Sequence, residues 1–139
     1  MVAHPSLALG STPIALVNVS AVATSPSRVL FQTLIERGSN IVPVRPGLAE
    51  IDGHPVYARL QDVPIQLGGA ILMVAPRLVE RYLEDCVEAG LWQVWVDHAA
   101  PELHHTFTTL RISAISIDDI LHGHRSVGDT LRRLLHLAT

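Results

Sequence analysis

Residues 18–28 gather the chain's most reactive-looking side chains: Ser20, Thr24, Ser25 and Ser27, followed by Arg28, within the stretch Ile14 to Arg28 that reads IALVNVSAVATSPSR. Hydroxyls beside an arginine suit an anion, above all a phosphate, which a guanidinium meets in a two-pronged way. If a helix starts near Ser25 or Ser27, its unpaired N–H groups and the positive end of its dipole face the same loop. Arg45 offers a second cation further on, and Arg77 a third. Ordinary helix capping accounts equally for the serines, and solvated surface charge for the arginines. The pattern alone leaves both readings open.

The elements that would position these residues follow from the apolar runs. Ile14 to Val19 is a continuous run rich in β-branched residues, which predicts a strand buried on both faces, as in a parallel sheet. Ser25-Pro26-Ser27 predicts a helix start, with a serine cap and proline in the first turn. Leu30, Phe31, Leu34 and Ile35 fall on one helical stripe, and Gly38 is the expected left-handed cap. Asn40 to Val44 is a second strand, whose Pro43 requires a place where no N–H is needed. A polar loop through Asp52-Gly53-His54-Pro55 leads to a short extended piece, Val56 to Leu60, and one helical turn over Leu60 to Val63. Gly69 to Ala75 is a further strand. Pro76 opens a helix whose stripe is Leu78, Tyr82, Leu83, Cys86 and Val87 and which ends at Ala89-Gly90. Gln93 to Asp97 is a strand, Pro101 to Thr109 a helix and Arg111 to Ile117 a last strand. Residues 1–12 form a loose arm, and 125–137 form an amphipathic C-terminal helix. Strands alternating with helices give one domain over 1–139, an α/β doubly wound, mostly parallel sheet with helices on both faces. In such sheets ligands lie at the carboxyl ends of the strands, which puts Arg45 and the segment Met73, Val74, Ala75, Pro76 on one rim with the serine loop.

Composition narrows the function. The 139 residues are 48% apolar and 17% charged, enough for one good core. The net charge of −3 provides no broad basic face, so nucleic acid is not an expected partner. The start, MVAHPSLALGSTP, lacks the pattern of a signal peptide, and no apolar run is long enough for a bilayer. With a single cysteine there is no internal disulfide, in keeping with a reducing compartment. A cytoplasmic protein is the expectation. The positive mean hydropathy leaves room for a homo-oligomer.

Other chemistry-bearing residues are weaker leads. Asp97 and His98 stand at a strand's carboxyl end, where an acid/base pair would be useful, yet no serine or cysteine nucleophile has an activating neighbour, and Asp97 serves equally as a helix cap. His104-His105 and His122-Gly123-His124 lack the further ligands that a zinc site requires. No catalytic residue and no metal ligand are assigned. Cys86 reads as a small buried apolar residue. Trp92 and Trp95 are three apart, so they point to opposite faces of a strand: Trp95 inward, Trp92 partly exposed.

From about Ile14 to Ile120 the chain resembles the small stand-alone CoA-binding domain proteins. The residues that carry the likeness are Ser20 and Ser25-Pro26-Ser27-Arg28, the stretch Ile41-Val42-Pro43-Val44-Arg45-Pro46, the stretch Gly53 to Pro64 (GHPVYARLQDVP), and the strand Val94-Trp95-Val96. The resemblance implies a Rossmann-like fold, shared with the CoA-binding part of succinyl-CoA synthetase. It implies CoA or acyl-CoA as the cofactor, a small-molecule nucleotide-type ligand, held by Asn18, Ser20, Ser25, Ser27, Arg28, Arg45, Ala75 and Pro76. A non-enzymatic binding domain is the expectation. The chain departs from the family at the cleft mouth. Asn18 stands where a Gly-x-Ser turn is usual, Arg45 where Asn is usual, Asp97-His98-Ala99 where Gln-x-Gly is usual, and Ile117-Asp118-Asp119 near the place of a late Cys-Pro. These departures support an alternative, a scaffold of the same fold that self-associates or binds a partner without a ligand.

Overall fold

Ile14–Val17 (β1) has all four side chains buried, as its unbroken apolar run predicts. The computed structural model describes residues 12–97 and 106–115. On one side β1 pairs in parallel with Ile41–Val44 (β2), and on the other with Gly69–Leu72 (β5). Gln93–Asp97 (β6) and Arg111–Ile115 (β7) extend the sheet beyond β5, again in parallel. The strand order is β2-β1-β5-β6-β7. The chain thus moves outward from β1 in one direction and then returns to build in the other. The reversal lies between β1 and β5, and in open α/β sheets this is where the ligand crevice forms.

Right-handed crossovers put helices on opposite faces when the chain changes direction, and the two sides of the core follow that rule. Pro26–Glu36 (α1) sends Leu30, Phe31 and Leu34 against Ile14, Leu16, Ile71 and Trp95. Val79–Glu88 (α2) sends Val79, Leu83 and Cys86 against Ala15, Val17, Ala70, Leu72, Val94 and Val96. Both helices end alike. Gly38 (φ 84°) donates to the Ile35 carbonyl and Ser39 to that of Leu34; Gly90 (φ 80°) donates to Val87 and Leu91 to Cys86. These are Schellman closures, in which only a residue tolerant of positive φ fits.

Several elements differ from the sequence-based expectation in their limits. β1 stops at Val17, two residues early, because Asn18 adopts φ 73° and turns the chain out of the sheet. β2 starts at Ile41 and β5 stops at Leu72. Pro76–Leu78 forms a single 3₁₀ turn before α2 begins at Val79. The expected polar loop holds an antiparallel hairpin of Glu50–Ile51 (β3) and His54–Pro55 (β4). Its two turn residues, Asp52 (φ 48°) and Gly53 (φ 84°), both have positive φ, as the tight hairpin turn that matches strand twist requires. The helix expected over Pro101 to Thr109 falls partly outside the described residues; 106–110 form turns, with Leu110 N–H donating to the Phe107 carbonyl. The loose arm (apart from Thr12), the C-terminal helix and residues 116–117 of the last strand lie outside the described residues.

Pro43 sits where it was required to be. β2 is an edge strand, and its outer side is covered by Tyr57, which donates to the Pro43 carbonyl and accepts from Arg45 N–H. Leu60–Asp62 forms the expected turn, as a 3₁₀ helix. Trp95 is buried in the α1-side core and Trp92 is exposed, as their spacing predicts. Among the described residues no helix is long and apolar enough to cross a membrane.

Candidate functional site

The switch point between β1 and β5 is spanned by one side chain. Asn18 N–H donates to the Val44 carbonyl (2.8 Å), and its side-chain Nδ2 donates to the Met73 carbonyl (3.0 Å) just past β5. Asn18 thus ties the carboxyl ends of β1, β2 and β5 together. Its φ of 73° explains why asparagine can stand at a position where glycine is usual: it is among the few non-glycine residues that enter the left-handed region readily. The backbone path that glycine permits is therefore kept. The side chain is added, and it lies between the two strand ends.

The loop that follows is held by its own hydroxyls. Ser27 Oγ is buried against the loop and accepts from Ser20 N–H (2.9 Å). Ser20 Oγ accepts from Val22 N–H (2.9 Å), which leaves the Ser20 hydroxyl proton to donate outward. Ser25 is the helix cap: its Oγ accepts from Arg28 N–H (3.3 Å) and lies 3.4 Å from Ser27 Oγ. The serines thus act as the local capping set, and their placement at the start of α1 puts the helix's positive end at the switch point.

Both arginines are turned toward loop carbonyls. Arg45 Nη1 donates to the Val19 carbonyl (3.1 Å). Arg28 Nη1 donates to the carbonyls of Ser20 (3.4 Å) and Ala21 (3.1 Å), while its Nη2 pairs with Asp52 Oδ1 at 3.1 Å. Gln32 Nε2 takes the other Asp52 oxygen (3.2 Å). The Gln32 amide first, and then Arg28, hold the Asp52 carboxyl below the usual carboxylate range. His54, next along the hairpin, sets its ring edge-on to Phe31 of α1, with centroids 5.5 Å apart. The hairpin is therefore clasped to α1 at two points.

Ser20, Ser25, Ser27 and Arg28 form one hydrogen-bonded network, Arg45 reaches the loop at the Val19 carbonyl, and Asn18 is bonded apart from them, to Val44 and Met73. Ala75 and Pro76 are exposed on the same rim, and their link to the loop runs through Met73 and Asn18. Arg77 is exposed beside them. Asp52 and Gln32 were not anticipated from the sequence; the Asp52-Gly53 dipeptide, a common hairpin turn, was the signal that could have placed Asp52. The Asp97 side chain and His98, His104, His105, His122 and His124 lie outside the described residues. A cavity of about 380 Å³ between the Leu60–Leu67 segment and the end of α2 lies toward the amino ends of the strands, away from this rim.

The profile of the family described as "CoA binding domain" matches residues 12–116. The chain belongs to the CoA-binding domain family. No curated protein matches it significantly in sequence. Among solved structures, a conserved hypothetical protein from Pyrococcus furiosus superposes with a TM-score of 0.70 at 20% identity, covering 86% of this chain and 98% of that one. A hypothetical protein from Pyrococcus horikoshii OT3 gives 0.67 at 27% identity, over 74% of this chain and 75% of the other. The dinucleotide forming acetyl-coenzyme A synthetase 1 of Ca. Korarchaeum cryptofilum, solved with phosphate and ADP, gives 0.66 at 22% identity; the match covers 76% of this chain but only 26% of that larger one. The Rossmann-like fold implied by the sequence is thus the fold of this CoA-binding family.

Proposed function

We propose that the protein is a non-enzymatic binding domain for CoA, acyl-CoA or a related adenine nucleotide, held on the rim of residues 18–28, 44–47 and 73–77. The observation that carries this reading is the ordered serine loop at the β1–β5 switch point, in a chain of a CoA-binding family. The residues fit the ligand's chemistry. A pyrophosphate needs donors and a positive field; the Ser20 hydroxyl supplies a donor and the N-terminal end of α1 the field. Arg28 and Arg45 supply positive charge close behind the loop. Ala75 and Pro76 offer an apolar lip for an adenine.

Titration calorimetry with CoA, acetyl-CoA, ATP and NAD tests the proposal. Saturable heat with CoA or acetyl-CoA is the expected result. No heat with any of the four up to millimolar ligand would sink it.

The Asn18–Met73 bridge favours a second reading, because it puts a side chain into the crevice that a ligand backbone contact would use. In this reading the fold serves as a scaffold for a second copy or a partner. A stable oligomer in sedimentation, with no co-purified nucleotide by native mass spectrometry, would mark that outcome.

A further inference from the structure

Three successive carbonyls of the ligand loop, those of Val19, Ser20 and Ala21, all accept from arginine side chains, the first from Arg45 and the next two from Arg28. The described residues contain no cis peptide bond. In a trans peptide the N–H points opposite to the carbonyl of the same unit. Drawing those three carbonyls onto the guanidiniums therefore turns the N–H groups of Ser20, Ala21 and Val22 the other way. Two of these are held by serine hydroxyls, Ser20 N–H by Ser27 Oγ and Val22 N–H by Ser20 Oγ. Ala21 N–H is left between them on an exposed residue. The open donors of the loop are therefore Ala21 N–H and the Ser20 hydroxyl, a small anion seat whose path is fixed by the bonded N–H groups on either side.

We propose that Arg28 and Arg45 are positioning residues, which hold this seat by its carbonyls, and that Asp52 of the β3–β4 hairpin sets the Arg28 fork. The proposal deepens the CoA-binding reading and rests on it. The geometry of Arg28 favours this role over direct contact with a phosphate. Its side chain is only 11% exposed, and three acceptors already surround it: two carbonyls on Nη1 and the Asp52 carboxylate on Nη2. Asp52 is itself fixed by Gln32 and by a turn that its own positive φ requires. The hairpin, two residues per strand, thereby reaches the loop through one side chain. Lysine cannot do the same work. Its ammonium is a single nitrogen, so it does not span the distance that Arg28 covers with Nη1 on the two carbonyls and Nη2 on the carboxylate.

Arg28→Lys weakens CoA binding in either role, because a two-pronged phosphate contact would be lost as well, by on the order of tenfold. Only a positioning arginine also loosens the loop before any ligand arrives. Two measurements on Arg28→Lys and Asp52→Asn decide it, with thermal melts checking that each variant folds. The first is CoA affinity by calorimetry. The second is amide hydrogen exchange at Ser20, Ala21 and Val22 in ligand-free protein, read by NMR. We expect about tenfold weaker binding and several-fold faster exchange at Ser20 and Val22 in Arg28→Lys, and the same directions with smaller size in Asp52→Asn. Unchanged exchange at Ser20 and Val22 in folded Arg28→Lys overturns the proposal, whatever the affinity does. Wild-type protein that takes no CoA overturns the binding reading instead, and the exchange arm still decides whether the arginine holds the loop.

Discussion

Asn18 Nδ2 reaches the Met73 carbonyl at 3.0 Å, across the point where the strand order reverses. The bridge reconciles two facts about this position. The backbone needs a left-handed residue there to leave β1, and asparagine provides it. A glycine would provide the same turn and leave the crevice open.

Replacing Asn18 with Gly is therefore expected to keep the fold and tighten CoA binding, by roughly three- to tenfold, since backbone donors become approachable. Asn18→Val keeps a side chain but places a β-branched residue at positive φ. It is expected to cost about 1–2 kcal/mol of stability. Calorimetry and thermal melts check both. An Asn18→Gly protein that binds no better, or worse, would mean that the amide itself contacts the ligand or that the crevice is not the site.

Gly69 and Trp95 fix the core on the α1 side. A Cβ on Gly69 would come within 2.9 Å of Trp95 Cζ3 and 3.0 Å of the Gln93 carbonyl. One of those neighbours is backbone and the other is a ring buried to 1% exposure, so neither gives way easily. Gly69→Ala should destabilise by about 1–3 kcal/mol, seen as a midpoint at least roughly 3 °C lower in a thermal melt. An unchanged midpoint would show that the indole shifts freely.

Gln93 is fully buried, and neither its amide nitrogen nor its oxygen has a hydrogen-bond partner among the described residues. A buried amide without partners costs stability, and an apolar residue of similar size removes that cost. Gln93→Met is expected to raise stability by about 1 kcal/mol. A lower melting midpoint in this variant would show that the amide is satisfied.

Burial pushes the Cys86 thiol up to about 12 from 9.0, with Asp85 adding to it. Between those values the unfolded chain loses the proton that the folded chain keeps. The unfolded state then binds fewer protons, so stability falls as pH rises above about 9. Below that the contribution is constant. At pH 8 the native thiol should be inert to a disulfide reagent and should react once denaturant is added. Rapid labelling of native protein would contradict the burial.

Much of this architecture was legible in the residues. Unbroken apolar runs such as Ile14–Val17 announced a parallel sheet, because strands covered on both faces have no polar side. Ser25, Pro26 and Gly38 marked the start and end of α1 through local backbone chemistry. The resemblance to CoA-binding domains located the loop. The β3–β4 hairpin escaped notice because strands of two residues have no periodicity to detect. The direction of Arg28 escaped for a different reason. Its partners are two carbonyls eight and seven residues back and a carboxylate 24 residues on, and side-chain direction across such distances is set by packing. The end of β1 at Val17 came from the positive φ of Asn18, which an apolar run continuing to Val19 concealed.

The central claim is that the switch-point loop seats a CoA-type ligand. Backbone amide shifts of the labelled protein, followed by NMR during a CoA titration, test it most directly. Saturable shifts concentrated at Asn18–Arg28 and Met73–Ala75 are the predicted result. Saturable binding that shifts other amides and leaves these still, or no shift at millimolar CoA, would contradict it.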